Sequence, residues 1–153
     1  AALFEACAAI GAESVGASQE DVLAAKKFGQ NIGIIFQIRD DIFDYYNSDE
    51  IGKPTGNDMI DGKLTLPAIY ALNSTNNEEM RAIARKIKAH EISSDEIAKL
   101  VEFTKQNSGI DYAEKRMWDF HSECMNFLES KVANAEIRKS LTAYIDYVIK
   151  RKL

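Results

Sequence analysis

Residues 28 to 47, FGQNIGIIFQIRDDIFDYYN, form an apolar run that carries three aspartates where a buried helix would normally have none. Asp40, Asp41 and Asp44 stand at i, i+1 and i+4, and Gln37 precedes Asp40 by three residues. On a helix these four side chains share one stripe, which runs back through Gly33 and Gln30. Ile32, Ile35, Phe36, Ile38, Ile42, Phe43 and Tyr46 cover most of the remaining surface. The pattern is a lipophilic helix with a single acidic seam.

Such a seam has an electrostatic cost. Two carboxylates about 6 Å apart, at an effective dielectric of about 20, repel by roughly 2–3 kcal/mol. Exposure to bulk water would relieve this, but an exposed face seldom sits inside so dense an Ile/Phe run. The other relief is a cation. All-carboxylate ligation suits a hard ion, and Mg²⁺ takes one or two carboxylates, keeps waters and shares its remaining positions with phosphates.

The 153 residues suffice for one domain with a real core. A net charge of −5 and a pI near 5.1 exclude a general nucleic-acid binder, because no broad basic face is available for phosphates. No apolar run reaches the length of a transmembrane span, and no signal-peptide pattern opens the chain. Cys7 and Cys124 are lone cysteines in apolar helical settings, which reads as reduced core thiols in a cytoplasmic protein. Ala1 already lies inside a helix-like run, with neither Met nor a capping residue ahead of it, so a chain continuing upstream is expected.

The periodicity predicts an all-α chain. Residues 1 to 13 form a first, Ala-rich helix suited to close packing, and Ser18 caps a long helix from about 19 to 47. Residues 48 to 63, SDEIGKPTGNDMIDGK, read as an irregular loop. Within it Lys53 and Lys63 each follow a glycine, with Thr55, Asn57 and Asp58 between them. Glycine lets backbone approach a phosphate closely while the ammonium supplies a point charge; an ordinary linker with solvated lysines is the alternative. Helices follow at 64–72 and 77–89, then from a capping box at Ser93–Glu96 to Gln106, and at 110–132 and 135–150. His90 and His121 have no second ligand at zinc spacing and read as structural. Tyr112, Trp118, Phe120 and Phe127 recur at near-helical spacing and read as core. The basic end Lys150–Arg151–Lys152 complements a helix dipole or folds over an anionic site.

These residues carry a resemblance. GQNIGIIFQIRDDIFDYY followed by GKPTGNDMIDGKLTLPAIYAL closely resembles the C-terminal half of the trans-isoprenyl diphosphate synthases, the polyprenyl synthetase family, and is most like its long-chain, octaprenyl-type members. A lone DDxxD is moderately specific; with FQ upstream and GKPxGxDxxxGKLTLP downstream it is strong. The likeness covers essentially the whole chain, taken as one helical domain over residues 1–153, the C-terminal part of such a synthase. It implies a helical bundle around a deep cavity, usually a homodimer, that condenses an allylic diphosphate with isopentenyl diphosphate. Matched by motif, Asp40 and Asp44 would hold Mg²⁺ with Asp41 adjacent. Lys53 and Lys63 would meet the allylic diphosphate, Gln37 would lie beside the reacting allyl group, and Arg151 matches a basic terminus that closes over the site in some relatives. The family has two aspartate-rich motifs and this sequence has only the second, which implies that this chain alone lacks synthase activity. A non-catalytic helical partner subunit or metal-binding interaction module is the alternative.

Overall fold

The computed structural model describes residues 1–46 and 55–151. Among the described residues the chain has no strand, in keeping with the predicted all-α class, and forms eight helices, of which α3 lies in the stretch read as a loop: α1 (Ala2–Ser14), α2 (Gln19–Phe43), α3 (Asn57–Ile60), α4 (Leu66–Ser74), α5 (Glu78–Ala89), α6 (Ser94–Gln106), α7 (Gly109–Lys131) and α8 (Ala135–Lys150). Two compact units arise from them. The first holds residues 1–39 together with the chain from Arg116, and the second holds residues 40–115.

In the first unit α1, most of α2, the later part of α7 and α8 surround one core. Phe28, Ile32 and Ile35 of α2 meet Cys124 and Leu128 of α7 and Ile145, Val148 and Ile149 of α8. The rings of Phe28 and Phe127 stack at 4.5 Å, so the expectation of core aromatics holds for Phe127. Ser18 starts α2 as predicted, accepting from the backbone N–H of Asp21 at 3.2 Å and donating to the Asp21 carboxylate at 2.7 Å.

The close packing anticipated for α1 has a specific cause on its partner. A Cβ at Gly29 would sit 2.4 Å from the Phe4 carbonyl oxygen, and one at Gly33 would sit 2.4 Å from the Ala1 Cα. The two glycines, one turn apart on α2, therefore let the α1 backbone lie directly on the α2 backbone. Elsewhere α1 covers less than its composition suggests. It has no buried residue, and Cys7 is exposed, contrary to the reading of both thiols as core. Cys124 does conform: it is fully buried, and burial pushes its thiol up to about 12. Trp118 is also a correction, being 43% exposed, with its ring edge against His121. His121 instead serves structure, its Nε2 lying 2.9 Å from the Asp146 carboxylate of α8.

The second unit packs α4, α5 and α6 around Ala68, Ala71, Leu72, Met80, Ile83, Ile87, Ile97, Leu100 and Val101. The capping box at Ser93 and Glu96 is present in both directions. Tyr112 stacks on Tyr70 at 4.0 Å. His90 closes α5 in a left-handed conformation, φ 54°, and its ring rests against Gly62.

Candidate functional site

The acidic end of α2 differs from a continuous helix in one informative way. The helix stops at Phe43, not at residue 47. Its last turn tightens, with the N–H of Tyr45 bonded to the Ile42 carbonyl and that of Tyr46 to the Phe43 carbonyl. Tyr45 is thereby carried into the core and Tyr46 is left exposed beneath the Lys105 ammonium, the reverse of the sequence expectation for Tyr46. The Tyr45 hydroxyl lies 3.2 Å from Thr65 Oγ1, and burial pushes the phenol up to about 12.

Asp44 leaves the helical stripe at the same point. Its two carboxylate oxygens accept from the backbone N–H groups of Asn57 (2.9 Å) and Asp58 (3.0 Å), while its carbonyl accepts from Gly56 N–H (2.9 Å). Asp44 thus satisfies the orphan donors at the start of α3, a short helix inside the stretch that reads as a loop. Gly56 makes this possible. It takes φ 81°, and a Cβ there would lie 2.3 Å from Ile97 Cγ2.

The helix turn brings Asp58 into the acidic group. Asp41 is half-buried, and its carboxyl is raised to about 6, first by burial and then by the carboxylates of Asp58, Asp40 and Asp44; Lys63 opposes them. Asp40 is exposed. Lys63 is exposed too, its ammonium 3.3 Å from Asp58 and 3.5 Å from Asp61, and these contacts, the Asp58 hydrogen bond first, hold it protonated to higher pH than usual. The second unit thus brings Asp40, Asp41, Asp44 and Lys63 together through Asp58. The sequence places Asp58 in the loop and as the fixed aspartate of GKPxGxDxxxGKLTLP, a signal that carried no site role for it there.

In the first unit, Gln37 is exposed and accepts from the Ala1 amino group at 3.2 Å. The Arg151 guanidinium lies 4.4 Å from the Phe36 ring, and its carbonyl accepts two bonds from Arg39 at 2.7 and 3.3 Å. Lys53 and Lys152 fall outside the described residues.

As a metal site the donor set fits a hard divalent cation in kind and falls short of one in number. Burial first, and the neighbouring carboxylates after it, raise Asp41, and a cation would offset the carboxylate share. Yet among the described residues no three His, Cys, Asp or Glu side chains are arranged to hold a metal ion; each Asp44 oxygen accepts one backbone N–H and keeps a second lone pair. No helix among the described residues is long and apolar enough to cross a membrane.

An all-helical chain with a partly buried carboxylate group at a helix end, followed by a capped acidic turn and a lysine, has the make-up of the isoprenoid synthase class. The family model for polyprenyl synthetase matches residues 1–104, and the chain belongs to that family. It is 34% identical over 153 residues to a geranylfarnesyl diphosphate synthase of Aeropyrum pernix, covering 98% of this chain and 46% of that protein. The crystal structure of a geranylgeranyl pyrophosphate synthase from Bacteroides thetaiotaomicron superposes with a TM-score of 0.92 at 47% identity, covering 98% of this chain and 49% of that one. A geranylgeranyl pyrophosphate synthase from Corynebacterium glutamicum, complexed with isoprenyl diphosphate and magnesium, superposes with a TM-score of 0.76 at 27% identity, covering 94% and 41%. The chain spans about half the length of the curated relatives it matches.

Proposed function

We propose that this chain is the C-terminal portion of a cytoplasmic, homodimeric prenyltransferase that joins an allylic diphosphate to isopentenyl diphosphate. The observation that carries the reading is the gathering of Asp40, Asp44 and Asp58 around half-buried Asp41, where burial first and the neighbouring carboxylates second raise the Asp41 carboxyl. Like charges gathered in a half-buried place are strain without a purpose unless a ligand neutralises them.

The reaction asks for this kind of site. The allylic C–O bond breaks with its electron pair leaving on the diphosphate; the alkene of isopentenyl diphosphate attacks the resulting carbon, and loss of a proton restores a double bond. Mg²⁺, when bound, supplies positive charge to diphosphate oxygens as they become more negative. Asp40, Asp41 and Asp44 would hold it, the shortfall in protein donors being made up by water and phosphate oxygen. Lys63 and Lys53 supply fixed positive charge to the leaving group, and Gln37 positions the allylic part. Arg151, which rests on Phe36, supplies further positive charge toward the substrate. Ile38, which is buried, and half-buried Ile34 exclude water from the carbocation. No side-chain nucleophile is needed.

Calorimetry with Mg²⁺ and inorganic diphosphate tests the reading. Binding that is abolished by Asp40→Ala supports it, and indifference to both ligands supports the non-catalytic module instead. Because the chain carries one aspartate-rich motif of the family's two, we further propose that these residues alone do not elongate a prenyl chain. Incorporation of labelled isopentenyl diphosphate by this chain would overturn that.

A further inference from the structure

The turn that carries Lys63 is supported from another helix. Met59 is buried and anchors α3, and beyond it the chain swings outward, with Ile60, Asp61 and Lys63 exposed. Backbone bonds hold the turn from within: Asp61 N–H to the Asn57 carbonyl at 2.9 Å, Gly62 N–H to that of Met59 at 3.2 Å, and Lys63 N–H to that of Asp58 at 2.7 Å. His90, at the end of α5, reaches it from outside. Its Nδ1 lies 3.4 Å from the Ile60 carbonyl, which can only accept, so Nδ1 carries a proton. The ring edge fills the space at Gly62, where a Cβ would stand 2.7 Å from His90 Cε1 and 3.1 Å from Nε2.

His90 is not the residue its own backbone favours. It stands where helices commonly end on glycine, its N–H bonded to the Ile87 carbonyl and that of Glu91 to the Lys86 carbonyl. Among the described residues only Ser108 shares a positive φ without being glycine. Glycine would end α5 there with less backbone strain. A histidine is accounted for by what its side chain touches, and that is the Ile60–Gly62 turn. It stands on a firm base, since Ile87, one turn earlier, is fully buried.

We infer that His90 is a positioning residue for Lys63. By holding the Ile60 carbonyl and filling the space beside Gly62, the imidazole fixes the turn. The Lys63 ammonium then stays at the edge of the acidic group, 3.3 Å from Asp58 and 3.5 Å from Asp61. A lysine ammonium has three N–H donors, and with two facing these carboxylates the third is left for a phosphate oxygen. The Lys63 side chain is 61% exposed, so nothing but the turn beneath it limits where that charge can wander. A charge fixed in advance costs less ordering when an anion binds. His90 acts through the turn and not on the substrate. The inference rests on the diphosphate-binding role proposed above for Lys63.

The test is calorimetry of the full chain with Mg²⁺ and inorganic diphosphate, in wild type, His90→Gly, Lys63→Ala and the double variant, with thermal unfolding of each followed free of ligand. His90→Gly should weaken diphosphate binding about fivefold or more. Its unfolding temperature should be unchanged or higher, because glycine relieves the left-handed backbone. In the Lys63→Ala background the same change should weaken binding by less than about twofold, since the residue being positioned is gone. A merely structural contact gives the same factor in both backgrounds. Amide exchange at Gly62 and Lys63 should also quicken in His90→Gly. Equal weakening with and without Lys63, undiminished binding by His90→Gly, or unchanged exchange at the turn would overturn the inference and leave the proposed function standing. A wild type that binds no diphosphate would overturn both.

Discussion

Asp41→Asn should stabilise the metal-free chain at neutral pH. Ionised Asp41 sits half-buried beside three other carboxylates, and its pKa rises from 3.8 to about 6. That rise corresponds to about 3 kcal/mol of preference for the neutral form. Water still reaches the group and screens it, so about 1–2 kcal/mol remains as the expected gain from asparagine. The pH dependence follows from the direction of the shift. Because the folded-state pKa is raised, the native state keeps its proton between 3.8 and about 6 while the unfolded state loses it. The wild type is therefore relatively most stable below that window and loses stability as pH rises through it. The advantage of Asp41→Asn should accordingly be full above about pH 6 and vanish below about pH 4. Urea denaturation of both proteins in EDTA, across this range, measures it. A destabilised variant at neutral pH, or a gain independent of pH, would refute the reasoning.

Asp44→Ala should cost about 1–3 kcal/mol, because two backbone N–H groups at the start of α3 lose their acceptor; hydrogen exchange at Asn57 and Asp58 should accelerate selectively. Gly33→Ala should cost about 1–3 kcal/mol by forcing α1 off α2, read as denaturant midpoint together with lost protection in α1. Ser93→Ala removes one side of the capping box and should cost about 1 kcal/mol, again by denaturation. Under native conditions a thiol reagent should label Cys7 rapidly and leave Cys124 untouched until the chain unfolds, since the first is exposed and the second is buried with its thiol held protonated.

Much of this protein is determined locally. The apolar spacing sets the helices, Ser18, Ser93 and Asn77 mark their starts through hydrogen bonds only three residues long, and the aspartates inside the Ile/Phe run identify the family. Such signals survive in sequence because both partners of each interaction are near neighbours in the chain. Tertiary structure alone decided where α2 ends. The strongly apolar pattern continues through Tyr46, but Asp44 finds two backbone donors thirteen and fourteen residues ahead, and these outweigh another turn of helix. The same event buries Tyr45, frees Tyr46 and places Asp58 against Asp41. Exposure of Cys7 and Trp118 was likewise hidden, because an apolar side chain reports that it suits a core and says nothing about whether a neighbouring helix arrives to cover it.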